Sequence, residues 1–278
     1  MLFFLCPKPY APRRASKPLS FARFGLISVA ACVLVLAACS SANLAYSTAP
    51  TLIAGEFDDA FNLNGEQADL LDERLEQFFD WHRREELTRY RTLLERAAND
   101  ASDGFSAEEF AVIVREVRIA WNRAVEQLID DVGGLGATLS PVQLEHFRWY
   151  YAETREEYDE YLELDDEERR EYRAERSLER LEDWYGGFDR ELEQRIVARL
   201  QTLPDTREAW LRYRKARVEE MLRILSTSSD PETIKAGLRD LMLNPAHPVV
   251  RDFEPKRAAY WRAYGEMLEE INGWMTPE

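Results

Sequence analysis

The sequence predicts an all-α protein, an antiparallel multi-helix bundle of six to eight helices joined by short loops. Apolar residues recur with the 3.6-residue period of one helix face, most clearly from Phe110 to Leu128. Asn64, Ser106 and Ser140 each stand three residues before a glutamate or glutamine, which is the pattern of a capping box at a helix start. No segment shows the apolar–polar alternation of a strand.

Composition and charge narrow the class of protein. The chain is 45% hydrophobic and 32% charged, which is typical of a globular protein and not of a disordered one. It has 52 acidic and 36 basic residues, a formal charge of −16. Because nucleic-acid binding needs a basic surface, we expect no nucleic-acid partner.

The first 38 residues read as a lipoprotein signal peptide. Residues 1–24 hold five basic residues and no acid, and residues 25–38 are almost wholly apolar but too short for a span of about 20 residues. Leu36-Ala37-Ala38-Cys39 then resembles a bacterial lipobox, in which the chain is cleaved before Cys39 and the Cys39 thiol receives a lipid. Cleavage without a lipid is the alternative. Ser40 follows Cys39, where an aspartate would indicate inner-membrane retention, so we expect an outer-membrane anchor facing the periplasm.

The rest of the chain divides into two parts. We predict a lipid anchor and tether over residues 39–65 and a single all-helical domain over residues 66–278. Cys6 and Cys32 leave with the signal peptide and Cys39 is lipidated, so the mature chain has no thiol for catalysis or for a cysteine-ligated metal. No motif predicts a cofactor, a metal or a catalytic residue.

The helix boundaries follow from glycine, proline and capping signals. The glycines at 133, 134 and 136 are predicted to end the second helix of the domain. Neither glycine nor proline occurs from Val142 to Tyr185, which predicts one long helix or two that break near Asp165. Later helices are predicted over residues 189–200 and 204–225, from the Asp230 cap onward and after Pro255.

The first helix of the domain carries the candidate site. His82, Glu86 and Arg89 fall within its apolar face, where polar groups must be paired or each costs about 1–3 kcal/mol. His82 and Glu86 are one turn apart and can pair directly. Three interpretations stay open: a buried polar network that fixes helix register, a pocket in which Glu86 orients His82 as a general base, or a ligand site without catalysis.

Other polar and aromatic residues favour structural roles. Residues 153–183 are strongly acidic, which predicts a solvated helix face or, alternatively, a patch for a basic partner or divalent cations. His146 is predicted at the surface and His247 in a turn. The seven tryptophans are spread along the chain and are interpreted as core residues.

Several segments resemble a proteobacterial lipoprotein family known only as a helical domain of unknown function. The most specific is the Trp-His-Arg-x-x-Glu-Leu motif at residues 81–87; others are residues 44–46, 58–67, 139–143 and 184–186. Ala60 and Thr88 depart from the pattern, which has an aromatic residue and a proline there. Relatives continue with one more helix beyond residue 278, so a partner that completes the last packing layer is one expectation. The resemblance implies a helical periplasmic lipoprotein and no activity.

These observations predict a membrane-anchored periplasmic protein that acts by binding, as a scaffold or as a chaperone, with an envelope protein as its partner or client. The Leu-x-x-x-Gln elements at 63–67 and 139–143 are similar to a motif of small periplasmic stress chaperones, although capping boxes produce the same letters. The alternative is a hydrolase-type enzyme that uses His82 and Glu86 on a cell-wall or lipid substrate.

Overall fold

The structure is a computed structural model that describes residues 45–101, 104–153 and 161–275. Of these residues 86% are helical and none lies in a strand, so the predicted all-α fold is confirmed. The predicted signal peptide, Cys39 and the chain terminus lie outside the described residues. Within the described part, no helix is both long and apolar enough to cross a membrane.

The helices follow one another with short connections. Residues 161–163 are also helical, and a π-helical turn, His82–Glu86, joins α2 to α3. The main helices are residues 45–61 (α1), Gly65–Trp81 (α2), Leu87–Asp100 (α3), Ala107–Thr138 (α4), Pro141–Glu153 (α5), Asp166–Tyr185 (α6), Arg190–Leu200 (α7), Arg207–Thr227 (α8), Pro231–Leu243 (α9), Pro248–Arg251 (α10) and Glu254–Met275 (α11).

The chain divides into two compact units, the first ending at Glu76 and the second beginning at Gln77. In the first unit α1 occupies most of the segment predicted as a tether, a helix that the sequence analysis did not anticipate. Asn62 then adopts a φ of 49° and turns the chain towards α2. The predicted capping box follows, since the side chains of Asn64 and Gln67 each accept a 3.0 Å bond from the other's backbone N–H.

The second unit confirms the other predicted capped helix starts, whereas α8 begins at Arg207 and not at the predicted residue 204. Capping boxes are present at Ser106–Glu109, Ser140–Gln143 and Asp165–Glu168, and Asp230 caps α9 by accepting a bond from the Thr233 N–H. The Asp165 cap places a helix start at the predicted break. The helix α6 ends at Tyr185, where Gly186 has a φ of 82° that favours glycine.

The core of the second unit is built around α4, α9 and α11. Helix α4 packs against α9 and α11, while α8 packs against α9 and α5. One buried cluster joins α6, α7 and α11 through side chains that include Leu181, Ile196, Met267 and Ile271. These contacts make α4 the element that positions most of the unit.

The prediction that glycines end α4 near residue 133 is wrong, because the helix continues to Thr138. Two of the glycines instead permit close helix packing. A Cβ on Gly133 would lie 3.0 Å from Lys235 Cβ and 3.1 Å from the Pro231 carbonyl oxygen, and one on Gly136 would lie 2.7 Å from Leu225 Cδ2. Tertiary contact with α8 and α9 therefore outweighs the weak helix propensity of glycine.

We predict opposite effects for two neighbouring glycine substitutions in α4. Gly133→Val should destabilise the protein by about 1–3 kcal/mol, because the larger side chain meets the α9 backbone. Gly134→Ala should stabilise it by about 0.5–1 kcal/mol, because open space surrounds that position and alanine favours helix. Urea unfolding of both variants measures the difference. Equal effects would contradict the close-packing role of Gly133.

Candidate functional site

The helix that carries the candidate residues is interrupted by a π turn over His82–Glu86. The Leu87 backbone N–H donates to the His82 carbonyl oxygen, a spacing of five residues where an α-helix has four. Such turns are rare, and they occur frequently at functional sites. The π turn was not predicted, because the prediction applied the period of an α-helix uniformly across residues 81–87.

Glu86 lies in this turn and is fully buried. Arg123 of α4 binds its carboxylate through two parallel hydrogen bonds, Nε to Oε1 at 2.8 Å and Nη2 to Oε2 at 2.7 Å. Arg89 of α3 donates from Nη1 to Oε1. We call Glu86, Arg89 and Arg123 the Glu86 cluster. It links the π turn to both helices of the adjoining hairpin.

The cluster holds Glu86 in its charged form. Hydrogen bonds from Arg123, together with those from Arg89, lower the pKa of the carboxyl below its ordinary value, although burial acts in the opposite direction. The Arg123 side chain is 33% exposed and that of Arg89 is 50% exposed, so both arginines are partly open to water while the Glu86 side chain is not.

Glu86 and Arg89 were predicted from the sequence, whereas Arg123, which is 37 residues from Glu86, was not. Local spacing cannot reveal a partner on another helix. The carboxylate itself could have indicated such a partner. A carboxylate on an apolar face needs nearby cations, and the planar guanidinium group of arginine can donate two hydrogen bonds to it.

His82 lies among aromatic rings beside the cluster. Its ring centroid is 5.8 Å from that of Phe78, 6.3 Å from that of Trp81 and 5.4 Å from that of Tyr90. Burial lowers the pKa of His82 below its ordinary value, and the negative charge of Glu86 opposes the shift. The charge of Glu86 thus acts on His82, as predicted for neighbouring residues. The hydrogen bonds that fix the Glu86 carboxylate, however, come from Arg89 and Arg123.

This arrangement limits the chemistry of the site. A carboxylate that accepts three charge-assisted hydrogen bonds is stabilised as an anion and is a weak base. Its evident effect is to hold two arginines in place. The geometry thus favours a structural network or a ligand site over a general-base pair.

A surface groove of about 540 Å³ adjoins the cluster. One face of α4 forms its floor, with Ile119, Asn122, Arg123 and Glu126. Trp81, at the end of α2, and Leu243, at the end of α9, also line it. Arg123 belongs both to the groove and to the Glu86 cluster, so the buried carboxylate positions a residue that a ligand could touch.

The surroundings of the other candidate residues, His247 and the acidic residues of α6, favour structural roles. His247 lies in the predicted turn but is only 9% exposed, and its Nδ1 accepts a 3.2 Å bond from the Val249 N–H at the start of α10. The acidic residues of α6 are exposed apart from the half-buried Glu182, which favours a solvated face there; residues 154–160 of this segment lie outside the described ones. Within the described ranges, no His, Cys, Asp and Glu side chains cluster in a way that could hold a metal ion.

The interpretation of all tryptophans as core residues is wrong. Trp184 is 87% exposed and Trp149 is 55% exposed. Trp184 is the penultimate residue of α6, two residues before the turn at Gly186. Spacing along the sequence could not separate these residues from those that pack inside.

The fold and the cluster define an all-α protein with a buried carboxylate held by arginines at a π turn. The chain belongs to the family of unknown function DUF6279, whose model matches residues 59–253. The match includes the π turn, both arginines and the groove. It agrees with the predicted resemblance to an uncharacterised family, while the lipid anchor and the Trp-His-Arg motif stay predictions. No curated protein and no solved structure matches the chain.

We predict that Glu86→Ala destabilises the protein by about 3 kcal/mol, because two arginines lose their shared carboxylate. The estimate is at the lower end of the range for broken buried pairs, since the side chains of both arginines are partly exposed. Glu85→Ala is the matched control. Glu85 is 55% exposed and lies 3.8 Å from Arg89, so its loss should cost less than about 0.5 kcal/mol. Similar unfolding free energies for the two variants would refute the role of the cluster.

We also predict a pH dependence that depends on His82. Its folded pKa lies below the ordinary value of 6.5, so the unfolded chain binds the proton first as the pH falls. The contribution to stability is therefore complete above 6.5 and is lost as the pH falls towards the folded pKa. Glu86 has a lowered pKa too, and its contribution is lost only below its unfolded value of 4.5.

Thermal unfolding of His82→Phe and His82→Gln from pH 7 to pH 5 tests this dependence. Both variants should lose less stability on acidification than the parent, whatever their stability at pH 7, because neither titrates. A parent-like slope in both variants would show that another group is responsible.

Proposed function

We propose that the chain is a lipid-anchored, non-enzymatic binding protein of the bacterial envelope. The basic and apolar leader that ends in Leu36-Ala37-Ala38-Cys39 supports export and lipidation at Cys39. Ser40 supports an outer-membrane position, with the helical units in the periplasm. Stable membrane anchoring needs at least two acyl chains, and the lipid modification of a bacterial N-terminal cysteine supplies them.

One observation carries the choice of binding over catalysis. The Glu86 carboxylate is buried and accepts hydrogen bonds from Arg89 and Arg123, while Arg123 also lines an open groove. A carboxylate bonded in this way orients Arg123 for recognition of a ligand. The proposed role is therefore to bind a ligand or partner through the surface around Arg123.

The same observation weighs against the hydrolase alternative. A general-base pair would need Glu86 to polarise His82 and His82 to face a substrate. Here the arginines hold the charge of Glu86, and aromatic rings pack against His82. We therefore do not propose an enzymatic activity.

Metabolic labelling with radioactive palmitate tests the anchor. The wild-type chain should incorporate label and Cys39→Ala should incorporate none, because the thiol is the acceptor. Cys32→Ala is the matched control, since Val29-Ala30-Ala31-Cys32 also fits the lipobox pattern but has few apolar residues before it. It should label like the wild type.

Membrane fractionation of the same strains tests the location. The wild-type chain should sediment with the outer membrane, and Ser40→Asp should shift it to the inner membrane. Labelling that survives in Cys39→Ala, or a wild-type chain recovered without lipid, would overturn the proposed anchor.

A further inference from the structure

We propose that the groove beside the Glu86 cluster binds the free C-terminal carboxylate of an extended peptide whose last side chain is apolar. The inference rests on the proposed binding function and names the chemistry that the surface would recognise. It begins with the hydrogen-bonding capacity that remains on Arg123.

Arg123 has one bound edge and one available edge. Its Nε and Nη2 donate to Glu86, and among the described residues no acceptor bonds to Nη1. A guanidinium group carries five N–H donors, so donors remain after the two bonds to Glu86 are made. Because Arg89 also donates to Glu86, the charge of that carboxylate is shared between two arginines, and Arg123 keeps part of its attraction for an anion.

The anion is better matched by a carboxylate than by a phosphate. Arg123 is the only cationic side chain among those that line the groove, and a carboxylate needs only one guanidinium edge for two hydrogen bonds. Glu126 lines the same groove and is engaged by Arg239 at 2.9 Å. Its negative charge disfavours a dianionic ligand more strongly than a monoanionic one.

The rest of the groove suits a short length of peptide. The floor from Ile119 to Glu126 is about 10 Å long at 1.5 Å per helical residue. Three extended residues span about the same distance at roughly 3.3 Å each. The half-buried side-chain amide of Asn122 bonds to no described group and offers both a donor and an acceptor to a peptide unit.

The apolar side chains determine the last residue of the peptide. Ile119, Leu243 and Trp81 line the same groove as Arg123 and give it aliphatic and aromatic surface. A side chain such as leucine next to the carboxylate would cover this surface, whereas a saccharide would leave the two aliphatic groups against hydroxyls. A peptide with an apolar C-terminal residue is therefore the favoured occupant.

Fluorescence anisotropy with labelled Ala-Ala-Leu tests the proposal on the full-length protein in mild detergent. The peptide with a free C-terminus should bind, and the same peptide with a C-terminal amide should bind at least about tenfold more weakly, because it lacks the charge-assisted pair with Arg123. Equal binding of the two peptides, or no binding of the free acid to the folded protein, would overturn the proposal.

Three variants separate recognition from folding. Arg123→Lys should weaken binding of the free acid about tenfold, because an ammonium cannot bond to Glu86 and to the ligand with a planar fork. Ile119→Glu changes an exposed position, and its carboxylate would pair with Arg123 four residues later, so the free edge is occupied from within the chain. Arg118→Lys is the matched control, since Arg118 lies on the same helix but pairs with Glu254 and does not line the groove.

The expected result is loss of binding in Arg123→Lys and Ile119→Glu and wild-type binding in Arg118→Lys, with all three folded by circular dichroism. Parent-like binding in Ile119→Glu would refute the site even if Arg123→Lys unfolds. Binding of N-acetylmuramic acid without the peptide would also overturn the proposal, in favour of a saccharide acid. Palmitate labelling does not depend on peptide binding. Failure of the proposed lipid anchor can therefore be distinguished from failure of the proposed peptide site.

Discussion

The Glu86 carboxylate is buried away from water, and the structure around it must compensate for its charge. A buried anion is costly unless cations and hydrogen bonds surround it, and Glu86 obtains both from Arg89 and Arg123. The two arginines belong to consecutive helices, so satisfying one charge fixes a helical hairpin. The π turn places Glu86 where both guanidinium groups reach it.

The same interaction connects structure with the proposed function. Arg123 binds the buried carboxylate and also lines the groove, so its orientation is set before any ligand arrives. A positioned arginine loses less conformational freedom on binding than a mobile one, which is how a shallow surface can gain selectivity.

The helical fold could be predicted because its signals are local. A capping box joins residues three apart, and the boxes at Asn64, Ser106, Ser140 and Asp165 all form. The extension of α4 past Gly133 could not be predicted, because the contacts that favour it come from α8 and α9. Only the local part of the candidate site could be predicted, because its other part depends on tertiary contacts. Glu86 and Arg89 share one helical segment, whereas Arg123 is brought to them only by tertiary packing.

The close approach of α4 and α9 has a consequence for the groove. Gly133 lies against Pro231 and Lys235 near the start of α9, while Leu243, the last residue of that helix, lines the groove about 12 Å beyond Lys235. Leu243 belongs to the helix that packs on α4 through the glycine contact and through the buried side chains of Ile234, Leu238 and Leu241. A substitution at Gly133 that shifts α9 would therefore also move one wall of the groove, although Gly133 itself does not line it.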